Sequence, residues 1–545
     1  MGIGMETNPH SFGRSWYPCI DDFIDRASYE FKIKVQENHT AVCGGVLAEV
    51  IENDDSTKTY HWILNQEIPA YLSSVAVMDY AVIEDEYNAV NGSLPVQLYV
   101  PHTDSLDAVQ SFQNLHEIFD LYEDRFGPYL WDRVGFVSVP FGGGAMEHAT
   151  NISLMAGSID GTLNYETLFA HELSHHWFGD LVTCRTPEDM WLNEGWASYC
   201  EAVFIEGFYG ESAGKNYVRN NLNYVLTHTH NRDGGFYALY GIPHELTYGS
   251  TVYDKGSVVT HTLRKYLGDD VFFNGVKNYL NEYKFSDASS EDLKNSLSEF
   301  SGVDLHDFFD FWVYSPGFPH FSIDSIAVSE NGSQYDTEVF IKQKLYGATQ
   351  YANSNKVELN FFSENWETET KLIEFSGEAG TANFTLDFYP VSTIVDYHEK
   401  IGDAIIADSK IIKETGEFEF VDTKFKANVQ QIEDSVFIWA EKNLVFPDSA
   451  EVVHNTAQLV TDYYYWNICG ILPDDFHAAG EFFYNLGETE SAFFEEGDSV
   501  VLLFRNNFAE RWREIEHSAT LFAHNKMGYL RPDTLYTGEY AVGIW

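Results

Sequence analysis

Residues 171–175 read His171-Glu-Leu-Ser-His175, and Glu194 follows 19 residues after His175. Residues i and i+4 of a helix project from nearly the same face, so the two imidazoles can share one metal ion. Glu172 directly follows the first histidine and can reach a water molecule on that metal without being a ligand itself. A loop and the start of a second helix would return the Glu194 carboxylate to the same point. This stretch therefore predicts a metal site on a helix.

The set of ligands distinguishes a catalytic from a structural metal. Two histidine nitrogens and one carboxylate oxygen leave the fourth position of a tetrahedral zinc site open to water, as in catalytic zinc sites. A structural site would use a fourth protein ligand. The alternative is a pair of histidines that are only packed or solvated on an amphipathic helix, and Glu194 argues against it. We predict one catalytic Zn2+ per chain, bound by His171, His175 and Glu194.

Composition and charge limit the classes of partner. A chain of 545 residues is expected to form two to four domains, and its 44% hydrophobic content is enough to build their cores. The 32 Lys+Arg and 84 Asp+Glu residues give a formal net charge of −52. Nucleic acids and anionic lipids bind basic clusters, so both are excluded as expected partners of this acidic protein. We interpret the acidity mainly as a solvated surface, and secondarily as an attraction for cationic substrate ends.

Cysteine content and hydropathy limit the kinds of metal site, membrane span and export signal that we expect. The chain has five cysteines and no Cys-x-x-Cys pair, which argues against a disulfide scaffold or a thiolate zinc site and leaves one incidental disulfide open. No apolar run reaches the length of a membrane span. The first ten residues lack the pattern of a secretory signal peptide. We therefore expect no membrane span, and no export signal in the sequence as given.

The first part of the chain has the periodicity of strands. Residues 29–35 alternate with period two, and residues 60–64 and 96–100 are further strand-like runs. A helical period follows over residues 105–126, and residues 133–139 again favour a strand. The first hundred residues are therefore predicted to be β-rich.

The centre of the chain is helical and its last part is not. Apolar residues recur with helical spacing over most of residues 165–315. Ser289, with Asp292 three residues later and an apolar run behind it, predicts the start of a helix. Pro316-Gly-Phe-Pro319 marks a boundary, and the short strand-like runs beyond Phe321 are typical of β-sandwich domains.

Around the metal site the sequence resembles the aminopeptidase N-like family of zinc metallopeptidases, within the gluzincins. Residues 171–180 and 191–195 are similar to the two zinc-binding segments of that family, and residues 144–148 (Gly-Ala-Met-Glu-His) to its exopeptidase motif. The tyrosine of residues 252–256 (Val-Tyr-Asp-Lys-Gly) lies where the family has its catalytic tyrosine. Residues 14–21 resemble a stretch of the N-terminal β domain of the family.

The resemblance covers about residues 10–320 and implies a domain plan. We predict a multidomain α+β protein whose N-terminal β domain is partial, because the matching segment already begins at Arg14. A thermolysin-like, mainly helical catalytic domain follows, and the C-terminal β-rich remainder is divided into two β-sandwich domains. The predicted limits are 1–101, 102–319, 320–446 and 447–545.

The resemblance also implies roles for individual residues. Glu172 matches the general base that takes a proton from water and later protonates the leaving amine. Tyr253 matches the donor that stabilises the oxyanion of the tetrahedral intermediate. Glu147 matches the carboxylate that binds the free α-ammonium of the substrate, which makes the enzyme an aminopeptidase. The predicted substrate-binding residues are Gly143, Gly144, Ala145, Met146 and Glu147.

Three neighbours of these residues are expected to support the site or the fold. Asp189 is predicted either to orient a zinc ligand or to cap a helix. His176 is turned off the face that carries the ligands and is expected to be structural. His148 stands where the family more commonly has asparagine, which leaves Glu147 in place and changes a detail of the subsite.

The function predicted from these residues is a zinc-dependent aminopeptidase that hydrolyses the N-terminal peptide bond of peptides with a free N-terminus. Two alternatives keep the site: an endopeptidase, or an epoxide hydrolase as in the leukotriene-hydrolysing branch of the family. A third is a β-rich binding protein whose peptidase core no longer works. Bacterial members of this type are usually exported, so a periplasmic or extracellular location is expected. The sequence leaves the oligomeric state open.

Overall fold

The computed structural model describes residues 13–448, 451–453, 458–459, 464–485, 499–523 and 525–544. The chain divides into two compact units between Ser315 and Pro316. Within the described residues, the first unit contains helices and sheets, whereas the second is built from strands. This arrangement confirms the predicted multidomain α+β class. None of the helices in the described part is long and apolar enough to cross a membrane.

The first unit begins with strands and continues with alternating helices and short strands. Its first elements are β1 (Arg26–Gln36), β2 (Thr40–Cys43), β3 (Val46–Glu52), β4 (Thr57–Pro69), β5 (Val75–Met78), β6 (Tyr80–Ala89), β7 (Gly92–Pro101), α1 (Ser105–Ser111), α2 (Leu115–Phe126), β8 (Val134–Val139), β9 (Ala145–Met146) and β10 (Ile152–Met155).

The rest of the first unit is mainly helical. It comprises α3 (Glu166–Ser174), β11 (Val182–Cys184), α4 (Glu194–Tyr209), α5 (Glu211–Tyr224), α6 (His230–Arg232), α7 (Gly256–Leu267), α8 (Asp269–Glu282), β12 (Ser286–Ala288), α9 (Ser290–Ser301) and α10 (His306–Trp312). Two π-helical turns, Val225–Thr229 and Thr251–Lys255, lead into α6 and α7 respectively.

Local sequence signals account for many of these elements. Residues 29–35, 60–64 and 96–100 lie within β1, β4 and β7, as predicted. Ser289 and Asp292 form a reciprocal capping box that starts α9, which confirms the predicted helix start. The helix predicted over 105–126 is interrupted between α1 and α2. At the break, the ring of Phe112 stacks on Phe169 of α3 with their centroids 4.2 Å apart.

The two larger sheets of the first unit are formed by strands that precede the predicted site in the chain. β1, β4 and β3 form one antiparallel sheet in the order β1-β4-β3. A five-stranded mixed sheet has the order β6-β7-β8-β10-β9, in which β9 pairs antiparallel with β10. Strands from both sides of the predicted limit at 101/102 therefore share this sheet. A periodicity argument does not reveal this, because β7 pairs with β8 across the two intervening helices.

The second unit consists of strands. In chain order they are β13 (Phe318–Asn331), β14 (Gln334–Tyr346), β15 (Asn355–Phe362), β16 (Thr368–Phe375), β17 (Ala379–Leu386), β18 (Ser392–Val395), β19 (Ile405–Ile412), β20 (Gly416–Phe420), β21 (Phe425–Gln431), β22 (Val436–Asn443), β23 (Gln458–Leu459), β24 (Tyr465–Ile471), β25 (His477–Asn485), β26 (Val500–Arg505), β27 (Arg513–Glu514), β28 (His517–Phe522), β29 (Met527–Pro532) and β30 (Gly538–Ile544).

These strands form four sheets. The sheets β13-β14-β17 and β16-β15-β18 share a core that includes Phe321, Ile341 and Phe361. The sheet β19-β22-β24-β30-β26-β27 meets β20-β21-β25-β29-β28 through Phe482, whose ring contacts those of Trp466 and Tyr540. Strands on both sides of the predicted limit at 446/447 share each of these last two sheets. The four predicted domains and the three limits between them stay predictions.

Candidate active site

The predicted metal-binding stretch lies on α3 and is buried. α3 ends at Ser174, and His175 continues it by one residue in a helical conformation. The exposed fractions of His171, Glu172 and His175 are 7%, 5% and 1%. A charged or polar group buried this deeply needs a partner, because transfer out of water is unfavourable. The three side chains therefore indicate a site rather than a solvated helix face.

Glu194, the first residue of α4, completes a cluster with the two histidines. Its Oε2 lies 3.4 Å from His171 Nε2 and 3.4 Å from His175 Nε2. A tetrahedral zinc ion with ligands at about 2.0–2.1 Å separates neighbouring ligand atoms by about 3.4 Å. Glu194 Oε2 is buried and has no hydrogen-bond partner among the described residues. The donor atoms and their spacing therefore fit a zinc ion.

Both histidines are oriented through their other ring nitrogen. His171 Nδ1 donates to Glu201 Oε1 at 2.8 Å, and His175 Nδ1 donates to the carbonyl oxygen of Phe178 at 3.0 Å. These contacts fix the tautomers that present Nε2 as the ligand atom. The Tyr217 hydroxyl donates to the second oxygen of Glu201. The sequence analysis missed Glu201, whose position seven residues after Glu194 on the same helix was the available signal.

The charges within the cluster stabilise one another. Burial by itself lowers the pKa of His171, but its contacts with the Glu194 and Glu201 carboxylates outweigh burial and raise that pKa well above its usual value. The pKa of His175 is raised to about 9 because the Glu147 and Glu194 carboxylates outweigh the effect of burial. Burial raises the pKa of Glu194, but the two histidines outweigh it and hold that pKa well below the usual range. At neutral pH these shifts favour an ionised Glu194 carboxylate beside protonated imidazoles when no metal is bound, so a metal ion that binds the two imidazoles must displace protons.

Glu172 and Glu147 lie on one side of this cluster. One carboxylate oxygen of each lies within 4.8 Å of the other and of a His175 nitrogen. Burial raises the pKa of Glu172 to about 7, although both histidines oppose it, and also raises the pKa of Glu147. Glu172 Oε2 has no hydrogen-bond partner among the described residues. Two glutamate carboxylates thus lie close together beside His175, and their different surroundings allow them different roles.

Glu147 follows a short edge strand that leaves room beside it. β9 is the outermost strand of its sheet, and Asn193 Nδ2 donates to Glu147 Oε1 at 3.3 Å. A Cβ atom added at Gly143 or Gly144 would meet nothing within 4 Å. Gly144 has a φ of +73°, a backbone conformation that favours glycine. An extended peptide therefore has space to approach this edge.

Tyr253 lies on the π-helical turn that precedes α7. Its ring is nearly parallel to that of His171, with an angle of 4° and a centroid separation of 6.2 Å. Burial, followed by the charge of Glu194, raises the pKa of the Tyr253 hydroxyl well above its usual value. The hydroxyl is therefore a proton donor at neutral pH. The fold thus places Tyr253 beside His171 and within reach of the charge of Glu194.

The three neighbouring residues have structural contacts. Asp189 accepts hydrogen bonds from the backbone and hydroxyl of Ser290 at 2.8 and 2.7 Å, so it caps the start of α9. His176 accepts from Thr150 N at 3.3 Å and donates to the Tyr129 hydroxyl at 2.8 Å. Burial lowers the pKa of His176 to about 3, which keeps the ring neutral.

His148 is also buried, and its ring contacts the neighbouring strand. Its Nδ1 lies 3.0 Å from Ser153 Oγ on β10, and burial lowers its pKa to about 3. The neutral ring therefore joins the end of the exopeptidase motif to the adjacent strand.

All five cysteines fall within the described residues and are free thiols, so the incidental disulfide that the sequence left open is not formed.

Comparison with known proteins places the site in a family. Residues 110–312 match the model described as the peptidase family M1 domain. "Probable aminopeptidase 1" of Sulfurisphaera tokodaii is 28% identical over 57% of this chain and 41% of its own length. "Aminopeptidase N" of Lactococcus lactis subsp. lactis is 24% identical over 73% of this chain and 49% of its own length. The chain thus spans less than half the length of these relatives.

Solved structures agree on the fold. Legionella pneumophila aminopeptidase A, in complex with aspartic acid, superposes with a TM-score of 0.60 at 19% identity, over 70% of this chain and 45% of that one. A mutant of an M1 zinc metallopeptidase from Deinococcus radiodurans, bound to a Tyr-Ser-Ala substrate, gives a TM-score of 0.50 at 22% identity, over 55% of this chain and 66% of that one. Residues 110–312 therefore form a peptidase family M1 domain, and this part of the chain is related to the aminopeptidase N-like gluzincins.

Proposed function

We propose that this chain is a zinc-dependent aminopeptidase that hydrolyses the N-terminal peptide bond of peptides and holds one Zn2+ per chain. The observation that carries the proposal is the meeting of two carboxylates with the zinc-type cluster: Glu147, Glu172 and His175 offer atoms within 4.8 Å of one another. One carboxylate is available for proton transfer and the other for a cationic substrate end. Peptides with a free N-terminus are the proposed substrates.

His171, His175 and Glu194 are the proposed zinc ligands. A zinc ion bound there supplies a Lewis acid that polarises the scissile carbonyl group and activates water for attack. Glu201 and the carbonyl oxygen of Phe178 hold the two imidazoles in the orientation that presents Nε2. The protein thus supplies an ordered set of donors before the metal binds.

Glu172 is the proposed general base and acid. Its buried Oε2 has no hydrogen-bond partner among the described residues, so it can accept the proton of the attacking water. The same atom then holds that proton and delivers it to the nitrogen of the leaving amine as the peptide bond breaks. Tyr253 donates its hydroxyl proton in a hydrogen bond to the oxygen that becomes negative in the transition state.

Glu147 is the proposed reader of the substrate N-terminus. Its 5% exposed carboxylate would form a charge-assisted hydrogen bond with the α-ammonium group, and this contact fixes the first peptide bond over the cluster. Of the proposed binding residues Gly143 to Met146, Ala145 and Met146 form the edge strand β9 and offer its backbone groups to the peptide. A carboxylate at this place disfavours a chain that continues beyond the first residue, which separates an aminopeptidase from an endopeptidase.

A panel of aminoacyl anilides with and without a zinc chelator tests the proposal. We expect turnover of free-amine anilides that is lost with the chelator and restored by Zn2+. The N-acetylated anilides serve as the matched control and are expected to remain uncleaved. Equal turnover of acetylated and free substrates, or full activity of metal-free protein, would overturn the proposal. A periplasmic or extracellular location and the lack of a nucleic acid partner stay predictions from the sequence.

A further inference from the structure

The position of Tyr253 depends on a wide helical turn. Thr251–Lys255 forms a π-helical turn that continues into α7. Such turns are rare, strained insertions in helices and are frequently found at functional sites. The backbone N–H groups at the start of any helix lack partners within the helix. Val252 N and Tyr253 N donate to the carbonyl oxygen of Gly249 at 3.0 and 3.3 Å. The place of Tyr253 therefore also depends on what binds the two preceding N–H groups, those of Ser250 and Thr251.

Asp233, which lies 18 residues before Thr251 in the chain, binds the start of this turn. It directly follows α6, and its side chain is 9% exposed. Its Oδ2 accepts from Thr251 N at 2.7 Å and from Thr251 Oγ1 at 2.6 Å, and its Oδ1 accepts from Ser250 N at 3.2 Å. A carboxylate at a helix N-terminus is also favoured by the helix dipole. Asp233 is thus a remote cap of the segment that carries Tyr253.

The other side of the turn rests on the helix that carries Glu194. A Cβ atom added at Gly195 would lie 2.8 Å from the carbonyl oxygen of Val252 and 2.9 Å from the Cα of Gly256. A Cβ atom added at Gly256 would lie 2.8 Å from the Cα of Gly195. Only glycine at both positions allows two backbones to approach this closely. The contact therefore sets the distance between the turn and the start of α4.

We propose that Asp233 is a positioning residue for the reaction: it clamps the π-helical turn against α4, and this holds the Tyr253 hydroxyl at the site. The inference rests on the proposed peptidase function and deepens it by adding a residue that does not touch the reacting atoms. A purely structural cap would stabilise the fold without changing turnover by the folded enzyme. A positioning residue acts through Tyr253, so its effect must disappear when that hydroxyl is absent.

A double-mutant cycle distinguishes these two roles. Zinc-loaded wild type, Asp233→Asn, Tyr253→Phe and the double variant are assayed on one aminoacyl anilide, with kcat, KM, zinc content and Tm measured for each. We expect Asp233→Asn to lower kcat about 10-fold, because small misplacements near the chemistry are costly, with KM and zinc content unchanged. In the Tyr253→Phe background the same change is expected to lower kcat less than about 2-fold, which is the non-additivity of groups that act as a unit.

Asp292→Asn is the matched control, because Asp292 also caps a helix, α9, but that helix carries no site residue. This variant is expected to lower Tm and to keep kcat within about 2-fold of wild type. If Asp233→Asn does not fold, Thr251→Val removes one of the same hydrogen bonds and tests the same cycle. Equal losses in both backgrounds would overturn the inference while leaving the peptidase proposal intact. An inactive wild type would overturn both.

Discussion

The hydrogen bond between His171 and Glu201 predicts how far zinc affinity depends on a residue that is not a ligand. His171 Nδ1 donates to Glu201 Oε1 at 2.8 Å, and Tyr217 donates to the second oxygen. A hydrogen bond to a charged group contributes about 1.5–3 kcal/mol. Since about 1.4 kcal/mol corresponds to a factor of ten, Glu201→Ala is expected to weaken zinc binding about 10- to 100-fold.

Glu201→Gln separates the hydrogen bond from the charge. The amide oxygen can still accept from His171 Nδ1, but a neutral bond is roughly half as strong as a charge-assisted one. We therefore expect this variant to weaken zinc binding less than Glu201→Ala, by about 10-fold or less.

The assay for both variants is competition for Zn2+ between metal-free protein and a chromophoric chelator. Glu299→Gln, which changes an exposed glutamate on α9, is the control and is expected to bind zinc as wild type does. The two Glu201 variants must also keep the wild-type Tm to within a few degrees, so that the loss is a property of the site. Zinc affinity of Glu201→Ala within about 2-fold of wild type would refute the reasoning.

Three further predictions concern Glu147, Gly195 and Asp396. Glu147→Gln is expected to lower kcat/KM for free-amine anilides at least about 100-fold, since the ammonium loses its charged partner; an unchanged value would contradict the assigned role. Gly195→Ala is expected to lower both Tm and kcat, because its Cβ would lie 2.8 Å from the carbonyl oxygen of Val252; wild-type values of both would contradict the close contact. Burial raises the pKa of Asp396 to about 7, above its value in the unfolded chain. The folded protein therefore holds this proton more tightly than the unfolded chain, and the stability that this contributes at pH 4 is lost as pH rises through 7. The free energy of unfolding, measured by denaturation at pH 4.5 and 7.5, should rise for Asp396→Asn relative to wild type at the higher pH. The same difference between the two proteins at both pH values would contradict this.

The sequence predicted the part of the site that local spacing encodes. His171 and His175 share a helix face because of their i and i+4 spacing, and Ser289 begins a helix through contacts within one turn. Glu194 was found because a third ligand was required to complete the metal site. These residues are recognisable in isolation from the rest of the fold.

The remaining contacts depend on which segments meet in three dimensions. Asp233 lies 18 residues before Thr251, and its capping role requires the fold that brings the two together. The pairing of β7 with β8 spans two helices, and the periodicity of each strand says nothing of its partner. The break between α1 and α2 accompanies the stacking of Phe112 on Phe169, a tertiary contact that overrides helix propensity.

The proposed zinc site acts only on peptides with a free N-terminus, because Glu147 binds the α-ammonium group. The most direct measurement gives the zinc-loaded protein one peptide in two forms, with a free and with an acetylated N-terminus, and follows the products by mass spectrometry. We expect release of the first residue from the free peptide, no cleavage of the acetylated one, and no release by metal-free protein or by Glu172→Gln. Internal cleavage of both forms at equal rates would contradict it.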